Sequence, residues 1–430
     1  MANLTWPRCT VMLIATTVLI TFAVFLLAAD LIGGEKKIKQ QIERLYSLDD
    51  ARFTHELGVL LGPPFLQGNR LQVLFNGDQI FPPMLDAING AKRSITFETY
   101  IYWSGGIGLE FAHALAQRAR QGVKVHVLLD WVGSSKVDDS IIDELTAAGV
   151  EIRKFHPLHW THLGRLNNRT HRKLLIVDGN LAFTGGVGIA PQWTGNAQNP
   201  QHWRDTHVQV QGPVVAQMQA VFLDNWIKVT GLVLHGPDYF PLLSASGNSS
   251  AQMFSSSPSG GSESMQLMYL LAITSASRSI DLSAAYFVPD TLFVDALVQA
   301  MNRGVKLRIV VPGEHIDSET VRSASRATWG RLLAAGAVIA EYRPTMFHCK
   351  VMIVDDLLVS LGSTNFDNRS FRLNDEATLN VMDAKLALEQ RAVFEADMAL
   401  SLPISYAQWK DRPITERAGE FFSSLIKSQL

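Results

Sequence analysis

Cysteine is almost absent: there are two in 430 residues, Cys9 beside an apolar run and Cys349 between a His and a Lys. That scarcity excludes a disulfide framework. A basic excess is missing too, since 38 Lys and Arg stand against 40 Asp and Glu and the formal net charge is −2. Proteins that neutralise nucleic-acid phosphates carry such an excess, so DNA and RNA are not expected as substrates. Nor does the chain cluster cysteines or acids as metal ligands, so any chemistry must come from imidazoles, ammoniums and isolated carboxylates. No metal and no cofactor are expected.

What is present begins with one long charge-free stretch, Val11 to Ala29, 19 residues whose only polar members are Thr16, Thr17 and Thr21. At ~1.5 Å per residue it spans a hydrocarbon core about 30 Å thick. A cleaved signal peptide has a shorter apolar core, and Leu27-Ala28-Ala29 is a poor cleavage site, so an uncleaved transmembrane helix is expected. Arg8 alone precedes it, while Lys36, Lys37, Lys39 and Arg44 follow, which puts the body of the protein in the cytoplasm. Ile38, Ile42, Leu45 and Tyr46 recur at helical spacing and predict a short amphipathic juxtamembrane helix.

The remaining chain, 47% hydrophobic overall, has length for more than one domain and is written twice. Strand-like "RSITFETYIY", helical "GLEFAHALAQRARQG" and strand-like "VKVHVLLD" return as "RSIDLSAAYF", "LFVDALVQAMNRG" and "VKLRIVVP". The fold class is therefore α/β, from two fused units with pseudo-twofold symmetry, each expected to form its own similar sheet. The expected boundaries are an anchor over 1–34, a juxtamembrane helical region over 35–69, a first unit over 70–240, a linker over 241–252 and a second unit over 253–430. A second Ser/Gly run, Ser255 to Ser264, reads equally as linker or as the edge of a phosphate site.

The sharpest repeat is His-x-Lys-x4-Asp, found at His171, Lys173 and Asp178 and again at His348, Lys350 and Asp355, an offset of 177 (348 − 171). A lone His on a strand is usually structural. Two copies at matching positions in a duplication mark these six residues as the catalytic constellation. Strand alternation places each His and Lys on one face, whereas Asp178 and Asp355 fall on the other and suit anchoring better. Two imidazoles and two ammoniums serve displacement at a phosphodiester: one neutral imidazole attacks phosphorus, the other gives a proton to the leaving alkoxide, and the lysines hold the charged oxygens. Asp205 follows His171 by 34 residues and Glu376 follows His348 by 28, and each opens a strand expected beside that His, so these acids are candidates for orienting the rings.

The duplicated motif resembles that of the phospholipase D superfamily. More narrowly, "NNRTHRKLLIVDGNLAFTGG", "HWRDTHVQVQGPVV", "AAYFVPD" and "GSTNFDNRSFRLNDEA" are similar to bacterial cardiolipin synthases over about residues 70 to 400. The resemblance implies two fused phospholipase D-like domains sharing one active site. It also implies transfer of a phosphatidyl group from one phosphatidylglycerol to another at a bacterial inner membrane, with no cofactor. It assigns His171 as nucleophile and His348 as acid/base, Asp205 and Glu376 as their partners, and Ser363 and Asn365 to the phosphate side. The first copy departs from the pattern, reading Gly185-Gly186-Val187-Gly188 where the second reads Gly-Ser-Thr-Asn. Alternatives are a phospholipase D hydrolase, a membrane-tethered nuclease and an inactive scaffold.

Overall fold

The computed structural model describes residues 10, 12–21, 38, 40–156, 168–258 and 262–425. Of the span expected over Val11 to Ala29, residue 11 and residues 22–29 fall outside these residues. Its described part, 12–21, is helical, and among the described residues no helix is long and apolar enough to cross a membrane.

In the first half the strands are β1 (Leu66–Phe75), β2 (Ser94–Thr99), β3 (Lys124–Asp130), β4 (Glu151–Phe155), β5 (Arg169–Thr170), β6 (Leu174–Val177), β7 (Leu181–Gly185) and β8 (Thr206–Gln211). The second half contributes β9 (Ser249–Ser256), β10 (Ser279–Ala284), β11 (Phe287–Val288), β12 (Lys306–Pro312), β13 (Val338–Tyr342), β14 (Lys350–Val354), β15 (Leu358–Gly362), β16 (Phe366–Asp367), β17 (Asn374–Met382) and β18 (Ser401–Ile404).

Two separate sheets are expected from the duplication, but sixteen of these strands form one, and only β11 and β16 pair apart from it. From the seam outwards the first half runs β1-β8-β7-β6-β2-β3-β4 and the second runs β9-β17-β15-β14-β10-β12-β13, with β18 added at the rim. The two orders correspond strand for strand. They join because β1 pairs antiparallel with β9, which leaves neither half with a bare inner edge of unpaired backbone groups. Strand β9 begins at Ser249, inside the expected linker, so the irregular connection is shorter than the Ser- and Gly-rich composition implies.

Alternation along each strand then builds three cores. Leu174 and Ile176 of β6, Val208 and Val210 of β8, Val351 and Ile353 of β14 and Leu379 and Val381 of β17 share a single inner core. Two helices, Val215–Thr230 and Ala384–Ala399, supply Phe222, Trp226 and Phe394 to it. Neighbouring positions such as Leu175 and Phe183, or Met352 and Leu358, face outwards into separate helix-covered cores. The inner core holds residues of both halves, so their relative placement is fixed by apolar burial.

The amphipathic helix expected at Ile38 to Tyr46 is absent. Residues 41–45 have no regular structure. Ile38, Ile42 and Tyr46 bury themselves by packing on the outer core of the second half, while Leu45 stays exposed. Gln41 Nε2 donates to the Leu292 carbonyl at 3.1 Å and Arg44 to Ser277 Oγ at 2.8 Å, which ties the segment down without helical hydrogen bonds. The helix comes later, over Ala51–Leu61, capped by the Asp50 carboxylate on the Arg52 N–H.

Candidate active site

His171 and Lys173 lie just before β6; His348 lies just before β14, which Lys350 opens. The expected strand placement is therefore early by a few residues. All four side chains are buried, and His171, Lys173 and His348 line one cavity of about 290 Å³ with Tyr100, Trp193, Trp203 and Arg169.

Each histidine is gripped by the opposite half. The His171 N–H donates to the Asp375 carbonyl and the His348 N–H to the Arg204 carbonyl, both at 2.8 Å. Next to those carbonyls stand the acids, and they too reach across. His171 Nδ1 sits 3.0 Å from both Glu376 oxygens, and His348 Nδ1 sits 2.7 Å from Asp205 Oδ2. This corrects the pairing expected from sequence proximity. Strand β7 separates β8 from β6, and β15 separates β17 from β14, so neither acid strand lies beside its own histidine strand. Both acid strands instead flank the seam. A carboxylate only accepts hydrogen bonds, so Nδ1 carries the proton and Nε2 offers its lone pair.

The same crossing recurs one residue earlier with inverted charge. Arg204 pairs with Asp397 at 2.9 Å, whereas Asp375 pairs with Lys228 at 3.0 Å, each bond joining one half to the other.

Support for the two acids is unequal. Ser363 Oγ donates to Glu376 Oε2 at 2.5 Å and Asn374 Nδ2 to Oε1 at 3.1 Å. Asp205 instead receives the Trp193 indole N–H at 2.9 Å and the Thr206 N–H at 2.8 Å. The missing Ser and Asn of the first copy thereby find a physical reason. A Cβ on Gly186, the counterpart of Ser363, would lie 2.1 Å from Asp205 Oδ1, and one on Gly188, the counterpart of Asn365, 2.8 Å from Ile101 Cβ and 3.1 Å from the Trp193 ring. The indole fills the space that an Asn would need. Gly186→Ala should accordingly displace Asp205 and loosen His348, lowering turnover about a hundredfold and stability by about 1–3 kcal/mol, read by assay and thermal melt.

Other expected residues are placed elsewhere. Asp178 accepts from the N–H groups of Lys92, Arg93 and Ser94, with distances of 2.7–3.1 Å. Asp355 does the same for Ser277, Arg278 and Ser279 at 2.7–2.9 Å. Both turn the chain at positive φ (52° and 54°) at the far end of the histidine strand, so they anchor strand ends and stand outside the catalytic set. Ser363 is fully buried behind Glu376 instead of at the cavity wall, and Asn365 is buried near it with Oδ1 lacking a partner. Cys349 points away into the inner core, where burial pushes its thiol up to about 12. At the Ser/Gly run, Lys228 reaches Ser257 Oγ at 3.0 Å on the side of the ion-pair network, and 259–261 lie outside the described residues.

Burial sets the charge state. It pulls His171 down to about 4 and His348 to about 3; the nearby ammoniums add to this, while Glu376 and Asp205 oppose it. Lys173 drops to about 7 for the same reason, and Lys350 is lowered as well. Burial alone would raise Asp205 and Glu376, but the facing His348 and His171 and the ammoniums outweigh it and hold both below the usual carboxylate range. The cavity thus offers neutral imidazoles beside fixed anions. An entering phosphodiester brings negative charge, which favours protonation of one ring. Among the described residues no group of His, Cys, Asp and Glu could hold a metal ion.

The family described as "Cardiolipin synthase, PLD-like domain" matches residues 84–226 and again 269–398. The chain belongs to that family. It is 36% identical over 395 residues to a cardiolipin synthase of Geobacillus thermodenitrificans (strain NG80-2), covering 90% of this chain and 78% of that one. To the major cardiolipin synthase ClsA of Bacillus subtilis (strain 168) it is 32% identical over 408 residues, covering 92% and 84%. Among solved structures, the phosphatidylserine synthase of Haemophilus influenzae Rd KW20 superposes with a TM-score of 0.67 at 13% identity, covering 88% of this chain and 99% of that one. That likeness is one of fold. The sequence-based assignment to the phospholipase D superfamily is borne out by the family match.

Several residues at the cavity escaped the sequence reading. Trp193 meets His348 edge-on and Trp203 lies tilted to it, with ring centroids 5.3 and 5.4 Å away, and Tyr100 lies 5.2 Å from His171. Tyr100 lies in the repeated strand "RSITFETYIY" but was not singled out, and neither Trp belongs to the repeated His-x-Lys-x4-Asp motif. The signal for Trp193 and Trp203 was aromatic density in "PQWTGNAQNPQHW".

Proposed function

We propose that this protein is a membrane-bound cardiolipin synthase that joins two phosphatidylglycerol molecules and releases glycerol. The observation that carries this reading is the single cavity where both histidines meet, each oriented by an acid of the other half, in a chain closely related to proteins named cardiolipin synthase.

The Nε2 lone pair of His171 forms a bond to phosphorus, the bond from phosphorus to the glycerol oxygen breaks, and His348 gives that oxygen its proton. The free hydroxyl of a second phosphatidylglycerol then loses its proton to His348 as its oxygen attacks, and the phosphorus–nitrogen bond breaks. One phosphodiester replaces another, so the balance closes without a nucleotide. Lys173 and Lys350 hold the non-bridging oxygens in a water-poor setting where their charge acts strongly. The domain limits, the single N-terminal span, the inner-membrane location and the cytoplasmic placement of the catalytic body complete this proposal.

In mixed micelles whose only phospholipid is phosphatidylglycerol, glycerol and cardiolipin should appear in equal amounts with little phosphatidic acid, and exhaustive EDTA treatment should leave turnover unchanged. Dominant phosphatidic acid would make the protein a hydrolase. Turnover restored only by one divalent ion would refute the lysine-based electrostatics.

A further inference from the structure

The cavity is not uniformly suited to an anion. Lys173, Arg169 and Arg369 at its walls suit a phosphodiester, but Asp317 also lines it and repels one. The Asp317 carboxylate is held in place there, since the Tyr286 hydroxyl donates to it at 2.7 and 2.8 Å. It remains exposed at the mouth, with oxygen lone pairs open to a ligand. A second acceptor lines the same cavity. Asn374 spends its amide N–H on Glu376, which as a carboxylate dictates the orientation of the amide, and its buried Oδ1 has no partner.

A cavity that binds a phosphodiester through cations and also holds two acceptors with lone pairs to spare calls for a substrate with hydrogen-bond donors next to its phosphate. An ammonium or a hydroxyl would serve. The cations at the cavity are offset by Asp317 and by the Asp205 and Glu376 carboxylates behind the two histidines, so charge alone selects no ammonium, whereas a hydroxyl needs only the open lone pairs of Asp317 and Asn374 Oδ1. We infer that Asp317, braced by Tyr286 and assisted by Asn374, receives the free glycerol hydroxyls of the headgroup and so selects polyol acceptors. This rests on the transferase reading above and names the specificity element within it.

The test is a competition between labelled glycerol and labelled 1-propanol, at equal concentration, for the phosphatidyl group of phosphatidylglycerol in phosphatidylcholine micelles. The product ratio reports the acceptor step alone and does not depend on how much of a variant is folded. Wild-type protein should favour glycerol by about tenfold or more, as expected for hydroxyls bonded to a charged acceptor. Asp317→Ala should bring the ratio to within about twofold of unity, and the isosteric Asp317→Asn, which keeps one acceptor oxygen, should fall between. An unchanged ratio in Asp317→Ala overturns the inference alone. In a parallel competition with labelled ethanolamine in place of 1-propanol, a wild-type preference for ethanolamine over glycerol overturns it in favour of an ammonium site. Wild-type protein that yields only phosphatidic acid overturns the transferase reading and this inference with it.

Discussion

Replacing His171 or His348 by Ala should lower phosphatidyl transfer by about ten-thousandfold or more, and the double variant should be hardly worse than either single one. Residues that serve one bond exchange are not additive, because removing either stops the same step. The two variants separate when the donor is a nitrophenyl phosphodiester, whose leaving group needs no proton. His348→Ala should then accumulate protein-bound phosphatidyl label, since His171 still attacks but the incoming alcohol has no base. His171→Ala should hold none. Label on His171→Ala and none on His348→Ala would exchange the roles, and a double variant with ten-thousandfold less activity than either single would refute the shared mechanism.

Glu376→Gln and Asp205→Asn should each reduce turnover by about a hundredfold to ten-thousandfold, because a neutral amide no longer fixes the Nδ1–H tautomer or stabilises the protonated ring. The crossed geometry specifies which variant resembles which. Glu376 faces His171 at 3.0 Å, so Glu376→Gln should fail to trap label, as His171→Ala does. Asp205 faces His348 at 2.7 Å, so Asp205→Asn should trap it. Pairing by sequence order predicts the reverse. A reversed result would mean that the contacts across the seam do not govern the reaction.

The histidines, their lysines and the duplication were legible because they recur. A repeated spacing survives translation into strands, and alternation alone assigned Asp178 and Asp355 to the opposite face, where each collects three backbone N–H groups. The family resemblance was carried by the same local runs. Partnership between residues was not legible. Asp205 and Glu376 were recognised as orienting acids but given to the wrong rings, because chain distance says nothing about which strands flank the seam. Ser363 was placed at the phosphate, yet its hydroxyl is consumed by Glu376.

By itself, then, the sequence determined the α/β class, the twofold repeat, the nucleophile and acid candidates and the anchoring role of two aspartates, all properties of short segments with a fixed period. Only the tertiary structure decided that the two halves share one sheet and one inner core, and that each imidazole takes its acid from the other half. It also put Trp193 where the first copy lacks Asn, and Asp317 with Tyr286 at the mouth of the cavity. Those outcomes depend on the pairing of β1 with β9 and on apolar burial between halves, interactions whose partners are separated by well over a hundred residues and leave no mark on local spacing.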